Sequence, residues 1–306
     1  MALLASSVAV ASMAVTVAAC GVTDASTGVE ASTGVGQSEP ELGALPRIGS
    51  YDDVVFPLDS YHLSPEQKVT LARADDIQVR DCMRRYGFDF DLPDRAVEPE
   101  LENRVIGLID KDSAASFGYK PAGFAEHSSR VREAKSEQTK WSPEMMGVLN
   151  GEGPSKVNGV EVPEGGCDAE ARQHLARNTD GKPGDENFVI RLEKMSGEAT
   201  EADSRLKKAF AKWSDCMAEA GFNYRDPWQA NGDPAFAEEK ASAREVATAT
   251  ADVKCRSKHD VNGIWVAVRT AYQNRLIEAN AEALRQHESA VAEQLRKAAD
   301  VLAANR

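Results

Sequence analysis

Two stretches far apart in the chain carry one motif. Cys82-Met83-Arg84-Arg85-Tyr86-Gly87-Phe88 and Cys216-Met217-Ala218-Glu219-Ala220-Gly221-Phe222 agree at Cys, Met, Gly and Phe, and an aromatic (Phe90 or Tyr224) follows two residues later in both. Each copy reads as the end of an amphipathic helix. Ahead of the first, Ser64-Pro65-Glu66-Gln67 is a start signal: Ser at the N-cap, Pro at the first helical position, Gln three residues past the cap. Val69, Ala72, Val79, Cys82, Met83 and Tyr86 keep helical spacing, as do Leu206, Phe210, Trp213, Cys216, Met217 and Ala220. Gly87 and Gly221 supply left-handed stops. The Cys-Met pairs therefore fall on buried faces, where Met is core filler rather than a ligand. Each Cys-Met is followed by one further Cys, so of the three pairings that four Cys allow, the repeat selects Cys82 with Cys167 and Cys216 with Cys255. Zinc is the competing reading, but no Cys-x-x-Cys spacing supports it.

The fifth cysteine, Cys20, stands elsewhere. Residues 1–19 carry no charge, consist mostly of Ala, Val, Ser, Leu and Met, and run into Val17-Ala18-Ala19-Cys20-Gly21. Small residues before a Cys at the end of an apolar stretch resemble a bacterial lipobox. That resemblance implies a signal peptide over 1–19 and acylation of Cys20. Two or more acyl chains, at roughly 0.8 kcal/mol per buried CH₂, anchor a protein stably. The stretch lacks the Lys or Arg that usually precedes an export signal. An uncleaved membrane helix is the alternative, and it would be a marginal span against the roughly 20 apolar residues normally needed. Residues 20–50 are then expected to form a disordered tether, being rich in Gly, Ser, Thr and Glu with a tandem Ala-Ser-Thr-Gly-Val at 25–29 and 31–35. Export also puts the other four cysteines in an oxidising compartment.

The rest of the chain reads as mainly α: two disulfide-stapled helical modules, a long C-terminal helix and a minor β-hairpin. The first module is placed at 51–180 with a loop-rich insertion, the second at 181–306. Lys156-Val157-Asn158-Gly159-Val160-Glu161-Val162 marks the hairpin, with Asn-Gly at its turn. Asp233-Pro234 is expected to open a helix reaching Cys255. From Asn262 to Ala304 there is no Pro and no Gly beyond 263, while an apolar stripe continues from Ile264 to Leu302. One helix over that span would be on the order of 60 Å long, against a compact body about 50 Å across. Its Ala-heavy stripe suits packing within the chain, with a coiled-coil partner as the alternative.

The ordered motifs carry a resemblance. After the lipobox come Phe56-Pro57-Leu58-Asp59-Ser60-Tyr61, the Cys82-Met83 helix, Tyr119, Gly165-Gly166-Cys167, Trp213 through Tyr224, Asp226-Pro227 and Ala251-Asp252-Val253-Lys254-Cys255. Over roughly residues 50–280 the chain resembles uncharacterised cell-envelope lipoproteins of actinobacteria. The resemblance implies a location on the extracytoplasmic face of the membrane and an architecture. It transfers no catalytic residue.

Chemistry is sparse. With Lys+Arg 36 against Asp+Glu 49, the net charge is −13, the wrong sign for a nucleic-acid partner. No Gly-x-Ser-x-Gly, Walker loop or His-Glu-x-x-His occurs. His62, His127, His174, His259 and His287 are scattered. Residues 180–187 suit a solvated turn better than a calcium loop. Asp75-Asp76 and Glu238-Glu239 are carboxylate pairs of the kind an acidic chain produces by chance. Phe117-Gly118-Tyr119 and Asp226-Pro227-Trp228 are aromatic segments for either a contact surface or the core. No catalytic residue, metal ligand or cofactor is assigned. The expected function is a non-enzymatic binding or accessory protein of the envelope, partnered by the membrane through lipid on Cys20 and by an envelope or transporter protein. The alternatives are a secreted hydrolase, which needs convergent His or paired carboxylates, and a ligand-capture lipoprotein serving a transporter, which normally has two α/β lobes.

Overall fold

The computed structural model describes residues 38–89, 95, 105–138, 141–176 and 187–305. In chain order its helices are α1 (Pro65–Arg84), α2 (Lys111–Phe117), α3 (Phe124–Gln138), α4 (Pro143–Asn150), α5 (Gly166–Ala176), α6 (Phe188–Ala202), α7 (Ser204–Glu219), α8 (Pro227–Asn231), α9 (Ala243–Lys258), α10 (Val261–Ala279) and α11 (Ala281–Ala304). A two-stranded antiparallel hairpin, β1 (Lys156–Val157) and β2 (Val160–Glu161), lies between α4 and α5. The chain is thus mainly helical, and among the described residues no helix is long and apolar enough to cross a membrane.

Both copies of the repeated motif end their helices the same way. Gly87 and Gly221 sit at φ +82° and +88°, and the next residue donates backward across the helix end, Phe88 N to Met83 O at 3.2 Å and Phe222 N to Met217 O at 2.9 Å. A Cβ would be strained at that φ, which explains the shared Gly. Met83 and Met217 are fully buried. The start signal of α1 also forms: Ser64 Oγ accepts from Gln67 N at 3.2 Å while Gln67 Oε1 accepts from Ser64 N at 2.9 Å. The Asn-Gly hairpin forms in the expected register, Val157 opposite Val160. It docks on the end of α1, where Asn158 donates to Tyr86 O at 2.9 Å and the Tyr86 hydroxyl donates to Glu161 O at 2.6 Å.

Two disulfides join Cys82 to Cys167 and Cys216 to Cys255, with Cα–Cα distances of 5.6 and 5.7 Å. Sequence separations of 85 and 39 correspond to roughly 4–5 kcal/mol each in the chain-entropy account. Each bridge lies in its own apolar cluster. Val79, Met83, Tyr86, Val148 and Ala171 surround the first, and Trp213, Met217, Ala249 and Val253 the second.

Four expectations need correction. The C-terminal helix is interrupted at Asn280 (φ −121°, ψ 19°), whose buried amide donates to Leu276 O at 2.8 Å while its own carbonyl accepts from Leu284 N at 2.9 Å. An Asn that satisfies a backbone carbonyl competes with helix continuation, and here it divides two helices with different partners. α10 packs against α6 and α7, whereas α11 packs against α1 and α5. The two helix groups therefore interleave in sequence and do not divide at residue 180. α11 belongs with α1, α4, α5 and the hairpin, while α2 packs on α9 in the other group. Next, Pro234–Phe236 forms only a 3₁₀ turn, and α9 starts at Ala243 behind its cap Ser242, whose Oγ accepts from Glu245 N at 3.1 Å. Finally, residues 38–50 of the expected tether lie on the body. Glu39 accepts from Ser204 N at 2.6 Å and Ser204 Oγ at 2.9 Å, Pro40 O accepts from Arg205, and Ser38 O accepts from Arg275 at 2.8 Å. Charge-assisted bonds to the first residue of α7 fix this strap.

Candidate functional site

The least ordinary chemistry in the described residues is buried around α9. Asp252 and Arg256, one helical turn apart, are paired with Arg256 Nε 2.7 Å from Asp252 Oδ1, and their side chains are 0% and 2% exposed. Trp213 Nε1 donates to the same oxygen at 2.7 Å. Arg256 Nη1 reaches Ile106 O at 2.7 Å and Asn262 Oδ1 at 3.0 Å, and Asn262 Nδ2 reaches Leu108 O at 3.1 Å. These bonds fasten the segment before α2 to the corner between α9 and α10. Gly107 makes the close approach feasible, because a Cβ there would lie 2.6 Å from Arg256 Nη2. Nearby, Glu245 accepts from Lys120 Nζ at 2.8 Å and from Tyr119 N at 3.1 Å. Burial, and then the negative charge of Asp252, push the Tyr119 phenol far above its usual range.

Arg256 and Asn262 of this network line a cleft of about 470 Å³ between the strap, the segment before α2 and the α9–α10 corner. Arg47 comes from the strap, Asp110 and Lys111 from the start of α2, and Ser257, Asp260 and Asn262 from the corner. Asp260 turns that corner at φ 49°, ψ 39°, a left-handed conformation Asp tolerates better than most residues. Asp110 spends one oxygen capping α2, accepting from Ser113 N at 2.5 Å. The cleft supplies charges of both signs and hydrogen-bonding groups. Its one hydroxyl, Ser257, has no histidine or thiol beside it among the described lining residues. Such a lining can hydrogen-bond and ion-pair with a polar ligand.

The remaining sequence candidates do not converge. Cys20 and residues 180–186 lie outside the described residues, as does Phe90. Cys82, Cys167, Cys216 and Cys255 are consumed in disulfides. His62 contacts Glu193 at 3.1 Å, and His287 contacts Tyr61 O at 3.2 Å. His174 lines a separate shallow groove between α5 and α11. Among the described residues no group of three or more His, Cys, Asp or Glu is placed to hold a metal. Glu239 is ion-paired with Arg132. Of the aromatic segments, Tyr119 is buried and Phe117 is exposed. Trp228 packs edge-on against Trp265 at 4.5 Å. Sequence reasoning missed Arg47, Lys111, Arg256 and Asp260. The available signal was Asp252 and Arg256 at i, i+4, a spacing that reads as an exposed helix pair.

Asp75 gives a pH-dependent prediction. Burial, followed by the charges of Asp168 and Asp76, pushes its carboxyl up from 3.8 to about 6. The folded state then keeps a proton that the unfolded state releases above about pH 4, so stability falls as pH rises from about 4 to 6 and is level beyond. Asp75→Asn is expected to stabilise by roughly 1–2 kcal/mol at pH 7.5, a figure reduced for partial exposure, and to have no effect at pH 4. Urea unfolding at both values is the measurement. An equal gain at both would assign the effect to something other than this proton.

Comparison of the chain with protein-family models, with curated proteins and with solved structures finds no match.

Proposed function

We propose that the chain is an exported, lipid-anchored protein of the cell envelope, held on the extracytoplasmic face of the membrane through Cys20, with a body that binds rather than catalyses. The two buried disulfides carry the reading, since such bridges persist outside the reducing cytosol. The apolar run into Ala18-Ala19-Cys20 supplies the attachment point, and the similarity to actinobacterial envelope lipoproteins belongs to the same reading. Residues 21–37 separate Cys20 from the strap and span at most about 60 Å. That keeps the body within reach of a membrane protein partner such as a transporter. The charged corner cleft favours a second reading, ligand capture for that transporter.

Intact mass of the protein purified from membranes tests the anchor. The expected product starts at Cys20 and carries acyl mass. Cys20→Ser is expected to lose stable membrane attachment while keeping both disulfides and the wild-type Tm. A native protein that begins at Met1 with no acyl mass overturns the proposal.

A further inference from the structure

We infer that the α9–α10 corner cleft is a binding site for a small zwitterion of the amino acid or short peptide class. The inference rests on the reading of the body as a binding module and specifies what it binds. Inside the cleft, Arg256 is almost fully buried and spends Nε on Asp252 and Nη1 on Ile106 O and Asn262. Its Nη2 makes no hydrogen bond among the described residues. Nη2 is therefore the donor of this guanidinium left for a ligand acceptor, and Arg256 is among the residues that line the cleft. At the rim, Arg47 and Lys111 are exposed cations without an ion pair among the described residues, and Asp260 is a carboxylate in the same condition. Asp252 already neutralises Arg256, so the unspent charge is Arg47 and Lys111 against Asp260 and Asp110.

That balance selects the ligand. An anion alone would gain the cations but meet two carboxylates, and a cation alone would meet the reverse. A molecule with a carboxylate at one end and an ammonium at the other satisfies both. A volume of about 470 Å³ limits it to a few residues. Asp260 makes no side-chain capping bond to α10, which leaves its carboxylate oxygens as acceptors for a ligand ammonium.

Titration calorimetry with the intact, membrane-extracted protein tests this with three probes: glycylglycine, N-acetylglycylglycine and glycylglycinamide. Glycylglycine is expected to bind saturably, and each blocked analogue at least tenfold more weakly. Asp260→Asn is expected to weaken glycylglycine at least tenfold while leaving the acetylated probe unchanged, and Arg47→Gln with Lys111→Gln to weaken both. Hydrogen exchange should show protection confined to residues 47–49, 105–111 and 253–264. No saturable binding of glycylglycine overturns the inference. Equal binding of glycylglycine and its acetylated form overturns the zwitterion in favour of a simple anion. A missing acyl mass on Cys20 would defeat the anchor without altering these titrations, and failed titrations would leave the anchor standing.

Discussion

Trp213→Ala is expected to destabilise the protein by about 3–5 kcal/mol, the range for deleting a large aromatic from a core. The indole is fully buried in the cluster around the Cys216–Cys255 bridge, and the bridge restricts how far α7 and α9 can collapse into the space. The variant also removes one of the two bonds to Asp252 Oδ1. Trp213→Phe separates the contributions, because it keeps most of the bulk and drops the N–H. It is expected to cost about 2–3 kcal/mol, the scale of one hydrogen bond to a charged group with a small volume change. Urea unfolding under oxidising conditions gives both values. An unchanged midpoint for the Ala variant would put the ring outside the core.

Arg256→Met is the second large effect, expected at about 3–5 kcal/mol. Removing the guanidinium leaves Asp252 as an uncompensated buried charge and frees Ile106 O, Asn262 and the Gly107 segment. The companion Asp252→Asn, Arg256→Met double variant is expected to recover much of the loss, since a neutral pair no longer needs a counter-ion. A double-mutant cycle reads the coupling directly. A single-variant loss below about 1 kcal/mol would show that solvent reaches Asp252 and that the pair is an ordinary exposed one.

Features written in local sequence were legible. The Ser-Pro-x-Gln start of α1, the Gly stops after each Cys-Met, the Asn-Gly hairpin and the buried phase of Trp213 all depend on neighbours within one or two turns. The disulfide pairing was legible because the repeat marked equivalent positions. What depends on distant partners was not. Nothing local to Asn280 says that the residues before it serve α6 and α7 while those after it serve α1 and α5. The Gly/Ser-rich composition around residue 38 conceals an ordered strap, because Glu39 is held by the start of a helix far along the chain. The cleft was invisible for the same reason. Arg47, Lys111, Arg256 and Asp260 come from three separate segments, and each looks like a solvated surface charge in sequence.

The return of α11 to α1 has a consequence for the order of assembly. Asn305 accepts from Arg80 at 3.2 Å, and Ala298 and Val301 share a cluster with Ala74 and Leu175. Apart from the start of α11, where Leu284 joins Leu276 in one cluster, the helices on which α9 and α10 pack are made before residue 280, so most of that half can mature on a growing chain. α1 and α5 are made far earlier, yet they wait for α11 (Ala281–Ala304) to receive their third wall, and they pay a long-range closure entropy when it arrives. α1, made well before α9 and α10, is therefore completed after them.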